Sequence, residues 1–183
     1  TVNGSRGREY QLLTACLFHD LQKCQGAVQI VAVIFQRFPD TFAHGLIAGE
    51  KKQGIDIVIK PGTKKESVHI PVVLSQSGLT EMVYNDFYIG DDCDVTIVAG
   101  CGIHNGGDAD SKHDGIHTFY IGKNTHVKYV EKHYGSGDGK GNRIMNPETV
   151  IELGENSFLE METVQIKGVD STNRKTTAKV SKN

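Results

Sequence analysis

After Gly54 apolar and polar residues alternate with a period of two, as in Ile55-Asp56-Ile57-Val58-Ile59 and Val68-His69-Ile70-Pro71-Val72-Val73-Leu74. Such alternation predicts half-buried β-strands. Turn-forming clusters, Lys60-Pro61-Gly62-Thr63-Lys64 and Ser75-Gln76-Ser77-Gly78, separate them. Three later stretches are versions of one another: Tyr88-Ile89-Gly90-Asp91-Asp92-Cys93, Tyr120-Ile121-Gly122-Lys123-Asn124-Thr125 and Glu152-Leu153-Gly154-Glu155-Asn156-Ser157. Each has an aliphatic residue, Gly, a charge, Asx and a small or thiol residue, then resumes the alternation. The glycines fall at 90, 122 and 154, a constant spacing of 32. Gly and Asx tolerate positive φ, so each copy predicts a turn leading into a strand. One such unit cannot bury its apolar face alone; stacked copies can. The fold predicted is mainly β, a solenoid. Lys60-Pro61-Gly62 belongs to an irregular first copy, with Pro61-Gly62 placed where the others have Ile-Gly, and Pro71 inside a strand predicts an edge or a bulge.

Residues 1–50 follow another pattern and do not repeat at 32. Leu12, Leu13, Cys16, Leu17 and Leu21 approximate a helical stripe, and Ala27 to Phe38 is strand-like. This segment is read as a helical cap over the open end of a solenoid, or as poorly ordered, with the β-domain spanning 51–183. At the other end the tail from Asp170 is polar and stops within the pattern. The chain is therefore expected to be part of something longer, or to pair through that exposed edge as a homodimer.

Composition narrows the function. A net charge of −2 gives no basic footprint for nucleic acid. The most apolar run, Ala27 to Phe35, contains Gln29 and is too short to span a bilayer. Cys16, Cys24, Cys93 and Cys101 form no CxxC pair, which argues against a zinc ribbon or a thioredoxin motif. Without a signal peptide, a soluble protein of the reducing cytoplasm is expected.

The candidate chemistry gathers at Cys101, His104, His113 and His117, with Asp108, Asp110 and Asp114 nearby. His113 and His117 lie four apart and point the same way from a strand, with Gly115 leaving space between them. One thiolate and up to three imidazoles suit Fe, Zn or Cu(I). Against this, histidines in solenoid loops commonly bond turn backbone or face solvent. Cys101 lies between two glycines, a setting read as an accessible thiol activated by a neighbouring imidazole, or equally as a buried small hydrophobe. Cys93 holds the small position of a turn and is read as packing. The loop Gly135 to Gly141 lacks the order of a phosphate loop and reads as a flexible connection. Glu131, Lys132 and His133, after the second copy, could sit near this cluster by stacking, with solvated surface as the default reading.

Four stretches carry a family resemblance. They are Val95-Thr96-Ile97-Val98-Ala99-Gly100-Cys101-Gly102, His113-Asp114-Gly115-Ile116-His117, Val127 to Gly135 and Glu160 to Thr172. Together they resemble the SufB/SufD family, the scaffold proteins of the Suf iron–sulfur cluster assembly system. The resemblance implies a right-handed parallel β-helix, transient iron–sulfur cluster cargo, a SufC-type ABC ATPase as partner, and pairing with a SufB/SufD-like protein. It implies a scaffold without catalytic turnover. It also implies a sulfur-transfer role for Cys101 and a kept histidine at His113, and none for His104 or His117. The family continues beyond Asn183 with the residues usually assigned to cluster assembly, so a fragment or a truncated relative is expected. Two rivals stand beside this: a non-catalytic β-helical self-association module, and a carbohydrate-active β-helix enzyme, which the absence of Trp disfavours.

Overall fold

A computed structural model describes residues 54–181 and the backbone of two short strands before them, β1 (Val28–Ile30) and β2 (Leu46–Ala48). The alternating segments form β3 (Gly54–Ile59), β4 (Lys64–Leu74), β5 (Thr80–Ile89), β6 (Asp94–His104), β7 (Ser111–Ile121) and β8 (His126–Ser136). They continue as β9 (Arg143–Met145), β10 (Glu148–Leu153), β11 (Phe158–Lys167), β12 (Ser171–Thr172) and β13 (Lys175–Val180). No helix occurs among the described residues.

From β3 onward every pairing is parallel, and the strands sort into two sheets. One runs β4-β6-β8-β11; the other runs β3-β5-β7, then pairs β7 with both β9 and β10. Each turn gives one stretch to either sheet and advances by one strand spacing. This is the parallel β-solenoid that the period predicts, of about 4 turns. In its middle, stacked residues lie 32 apart in sequence. The step is 30 between β3 and β5 and 27 between β10 and β13. The tail from Asp170, polar by composition, is thus part of the coil.

The helical cap read into residues 1–50, with Cys16 and Cys24, lies outside the described residues. Within that segment β1 pairs antiparallel with β4, and β2 with β3, so both strands of the first turn have outer neighbours. Pro71 stacks on Gly100 of β6 and lies just short of the Val72–Leu74 stretch that β1 covers.

The repeated corner has a different physical basis from the expected one. Gly90, Gly122 and Gly154 do not adopt positive φ; the residues two places on do, with Asp92 at 57°, Asn124 at 52° and Asn156 at 54°. What demands glycine is stacking distance. A Cβ on Gly122 would lie 2.4 Å from Asp91 Oδ1 and 2.7 Å from its backbone nitrogen. In the first turn Gly62 (φ 78°) takes the Asx place, donating to Asp91 O as Asp92 does to Lys123 O. Pro61-Gly62 therefore aligns with Asp91-Asp92, not with Ile89-Gly90. Next in line Thr63, Cys93 and Thr125 bond a carbonyl of their own or the preceding turn. Cys93 is 1 % exposed, a packing residue whose thiol burial pushes up.

The loop from Gly135 to Gly141 is likewise a stacked element. Gly139 N donates to Asn105 O at 3.1 Å and Gly141 N to Gly107 O at 3.0 Å. Asn105, wholly buried, holds the lower loop together by donating to Ala109 O and accepting from Gly107 N. The loop is therefore anchored on its neighbour along its length.

Inward-facing residues fill the lumen in ladders. The larger apolar cluster surrounds Phe87 and Phe119, stacked at 4.4 Å, with Ile57, Ile97, Val127 and Tyr129. A smaller one, Leu74, Cys101, Ile103 and Met145, lies toward the other corner. Burying each such aliphatic or aromatic side chain contributes about 1.5–3 kcal/mol. Polar and ionisable residues occupy the lumen between the two clusters.

Candidate functional site

Strand parity and stacking assemble this polar interior. In β5, β6, β7 and β8 the odd-numbered residues face inward, so Glu81, Asn85, Cys101, His113, His117, Tyr129, Glu131 and His133 are all buried. Stepping one turn along the axis sets Glu81 beside His113, Asn85 beside His117, and Cys101 beside His133. Gly115 separates the two β7 histidines. A Cβ there would meet His117 Nε2 at 3.2 Å and His113 Nε2 at 3.4 Å, so both rings lean over the space it leaves, as expected.

The hydrogen bonds have a direction that fixes one tautomer. Asn85 Oδ1 accepts from Ile55 N at 3.2 Å, which turns Asn85 Nδ2 toward His117 Nε2 at 3.4 Å. His117 Nε2 must then accept, so its proton is on Nδ1 and is donated to Tyr129 OH at 2.7 Å. The phenol in turn donates to Glu131 Oε1 at 3.3 Å. Burial, only partly offset by Glu131, brings His117 down to about 4. His117 is therefore neutral, and its 3.8 Å approach to Glu131 is not an ion pair. Burial, with Glu131 beside it, raises Tyr129 well above its ordinary value and keeps the phenol a donor.

Glu131 is the hub. Besides the phenol it faces His133 Nε2 at 3.5 Å and pairs with the guanidinium of Arg174, which arrives from the link between β12 and β13. Burial opposes its charge, but the His133 hydrogen bond, the imidazoles and the guanidinium overcome that and bring it down to about 2.

Cys101 sits between two imidazoles. His113 Nδ1 lies 2.6 Å from Glu81 Oε2, and its other nitrogen is left for the thiol. His133 spans Glu131 and Cys101 in the same way. Burial alone would raise the Cys101 thiol; the hydrogen bonds from His113 and His133 outweigh it and hold the thiol below its ordinary value. Against their own burial, bonds to Cys101 and to a carboxylate push His113 up to about 10 and His133 to about 9. The Cys101 thiol is thus flanked by two imidazoles, each with a carboxylate beside it, a setting that favours loss of its proton. The thiol and two carboxyl groups face two imidazoles and one guanidinium, so groups of opposite sign are paired where they are buried.

Among the residues proposed from sequence, Cys101, His113 and His117 meet in the lumen. His104 does not: it ends β6 on the exposed side, with Nδ1 3.1 Å from Ser136 Oγ. Asp114 faces out to Lys112, and Asp110 caps Asn142. Cys101 is 4 % exposed, so the flanking glycines do not open it to solvent; the space above Gly102 is filled by the Tyr134 ring. Glu131 and His133 stack beside the cluster, at 1 % and 2 % exposed, and are not the solvated surface of the default reading. Glu81, His133 and Asn85 were legible in principle, because adding or subtracting the 32-residue step from His113, Cys101 and His117 lands on them. Arg174 carries no such signal. Among the described residues no group of three or more His, Cys, Asp and Glu side chains has a geometry that fits a metal ion. No helix among them is long and apolar enough to cross a membrane. Comparison with protein-family models, curated proteins and solved structures found no match.

Proposed function

We propose that this chain is a scaffold component of iron–sulfur cluster assembly, SufB/SufD-like, in which Cys101 accepts sulfur inside the solenoid. The observation that carries it is the Cys101 thiol, enclosed in the lumen with His133 beside it in the strand register and the His113 imidazole holding its pKa below the ordinary value. Such a thiolate is a nucleophile for sulfane sulfur. It attacks the terminal sulfur of a donor persulfide. The new S–S bond forms as the donor's S–S bond breaks, and the donor departs as a thiolate that takes its proton from solvent. The resulting Cys101 persulfide keeps the same two N–H donors. Iron and sulfur are cargo here; the case rests on sulfur acceptance, since no described set of side chains fits a metal ion. The expected setting is the cytoplasm, with a SufC-type ABC ATPase as the partner whose conformational work opens the lumen, a SufB/SufD-like protein or a second copy alongside, and no catalytic turnover by this chain.

The test uses the reduced protein under anaerobic conditions with glutathione persulfide, followed by peptide mapping. One added sulfur atom on Cys101, lost in Cys101→Ala and reduced in His113→Gln, is the expected result. A native protein that leaves Cys101 unmodified while the urea-unfolded chain accepts sulfur there, together with no co-purification of a SufC-type ATPase, overturns it.

A further inference from the structure

The outward side of the β3-β5-β7 sheet gathers four exposed apolar side chains. Val58, Met82, Tyr88 and Tyr120 all expose more than a third of their area there, at 39, 47, 40 and 37 %. Tyr88 and Tyr120 stack one turn apart, centroids 4.9 Å and planes 8° apart, and form a ridge along the solenoid axis. Beside the ridge runs a groove of about 580 Å³, walled by Val58, Tyr88 and Tyr120 and floored by the corner at Gly90, Gly122 and Leu153. The corner glycines that stacking demands are what leave this furrow without side chains.

Its charges are also unusual. Asp56 and Asp86 are direct neighbours in the β3–β5 register, two like charges about one strand spacing of ~4.8 Å apart. Other acids of the same face have lysines: Asp114 with Lys112 at 2.8 Å, Glu148 with Lys175 at 2.7 Å, Glu152 with Lys179 at 3.1 Å. Among the described residues no cation pairs with Asp56 or Asp86. Burial and then Asp86 raise the Asp56 carboxyl, as expected of two acids left side by side.

We propose that this face docks an extended, arginine-bearing segment of a partner protein. One guanidinium forks across the Asp56 and Asp86 carboxylates and relieves their repulsion, a task its planar pair of N–H donors suits better than a lysine ammonium. Apolar side chains flanking that arginine lie along the tyrosine ridge and in the groove beside it. An extended chain fits because the groove follows the corners of three successive turns, at Gly90, Gly122 and Gly154, beside the tyrosine ridge. Exposed Tyr and Met are residue types enriched at interface centres, and the arginine proposed to meet them is another. This surface points away from the lumen and stands or falls independently of the sulfur chemistry there.

The test is an NMR titration of the whole chain with a short blocked peptide alternating arginine and leucine, and with the same peptide carrying citrulline for arginine. Shifts confined to β3, β5 and β7, including the Tyr88 and Tyr120 rings, are expected. Affinity should fall roughly tenfold with citrulline and in the Asp56→Asn/Asp86→Asn double variant, whose isosteric, half-buried substitutions keep the strand register. Equal binding by the double variant, or shifts elsewhere on the molecule, overturns the proposal. So does concentration-dependent self-association that moves the same residues without peptide, because the occupant is then a second copy.

Discussion

Glu131→Gln isolates the hub of the lumen without changing its volume. In the fold Glu131 takes donors from Tyr129, His133 and Arg174 while only 1 % exposed. Its carboxyl titrates at 4.5 when free and at about 2 in place. The charged form is thus favoured on folding, and at roughly 1.4 kcal/mol per tenfold step the difference is about 3 kcal/mol. An independent figure agrees: removing one partner of a buried ion pair costs about 3–5 kcal/mol. The two donors respond differently. The Arg174 side chain is 25 % exposed and can rehydrate, whereas His133 at 2 % cannot, so most of the loss falls on His133. The sign with pH follows from the depressed carboxyl. Its stabilisation is complete above 4.5, the unfolded value, and is lost as pH falls through about 2. Urea unfolding followed by circular dichroism should show the variant about 3 kcal/mol less stable at neutral pH. The gap should persist to about pH 5 and close toward pH 2. A variant within about 0.5 kcal/mol of the parent at neutral pH, the range of an ordinary surface substitution, would refute the charge-hub account.

Three further outcomes follow from the geometry. Gly122→Ala places a Cβ 2.4 Å from Asp91 Oδ1, whereas at Gly100 the nearest atom is Pro71 Cα at 4.0 Å; thermal melts should show the first losing about 2–4 kcal/mol and the second nearly unchanged, and a reversed order contradicts stacking as the reason for the repeat glycines. Tyr129→Phe removes the acceptor for His117 Nδ1–H and a donor to Glu131, so a loss of about 1–3 kcal/mol is expected. In the parent protein, ring-nitrogen NMR shifts should report His117 as the neutral Nδ1–H tautomer; an Nε2–H tautomer means the chain of donors from Ile55 runs the other way.

The sequence by itself determined the architecture and much of the neighbour list along the axis. A period of 32 with strand alternation means that residues one period apart stack in register, because parallel rungs pair residue by residue. Cys101 beside His133 and Glu81 beside His113 are consequences of arithmetic once inward parity is known. The period also marked Gly90, Gly122 and Gly154, though only the stacked backbones reveal that close approach, not positive φ, requires glycine there. Tertiary structure alone decided what meets across the lumen. The bonds of Cys101 with His113 and of His117 with Tyr129 join different sheets, and their meeting depends on the width of the lumen and the path of each corner. Arg174 on Glu131 depends further on where the last described turn crosses the axis, at a step of 27 that breaks the period. His104 and Cys101, three residues apart and alike in sequence context, fall on opposite sides of the wall because a strand turns each successive side chain the other way. Periodicity fixes what lies above and below a residue; only the closed cross-section fixes what lies opposite.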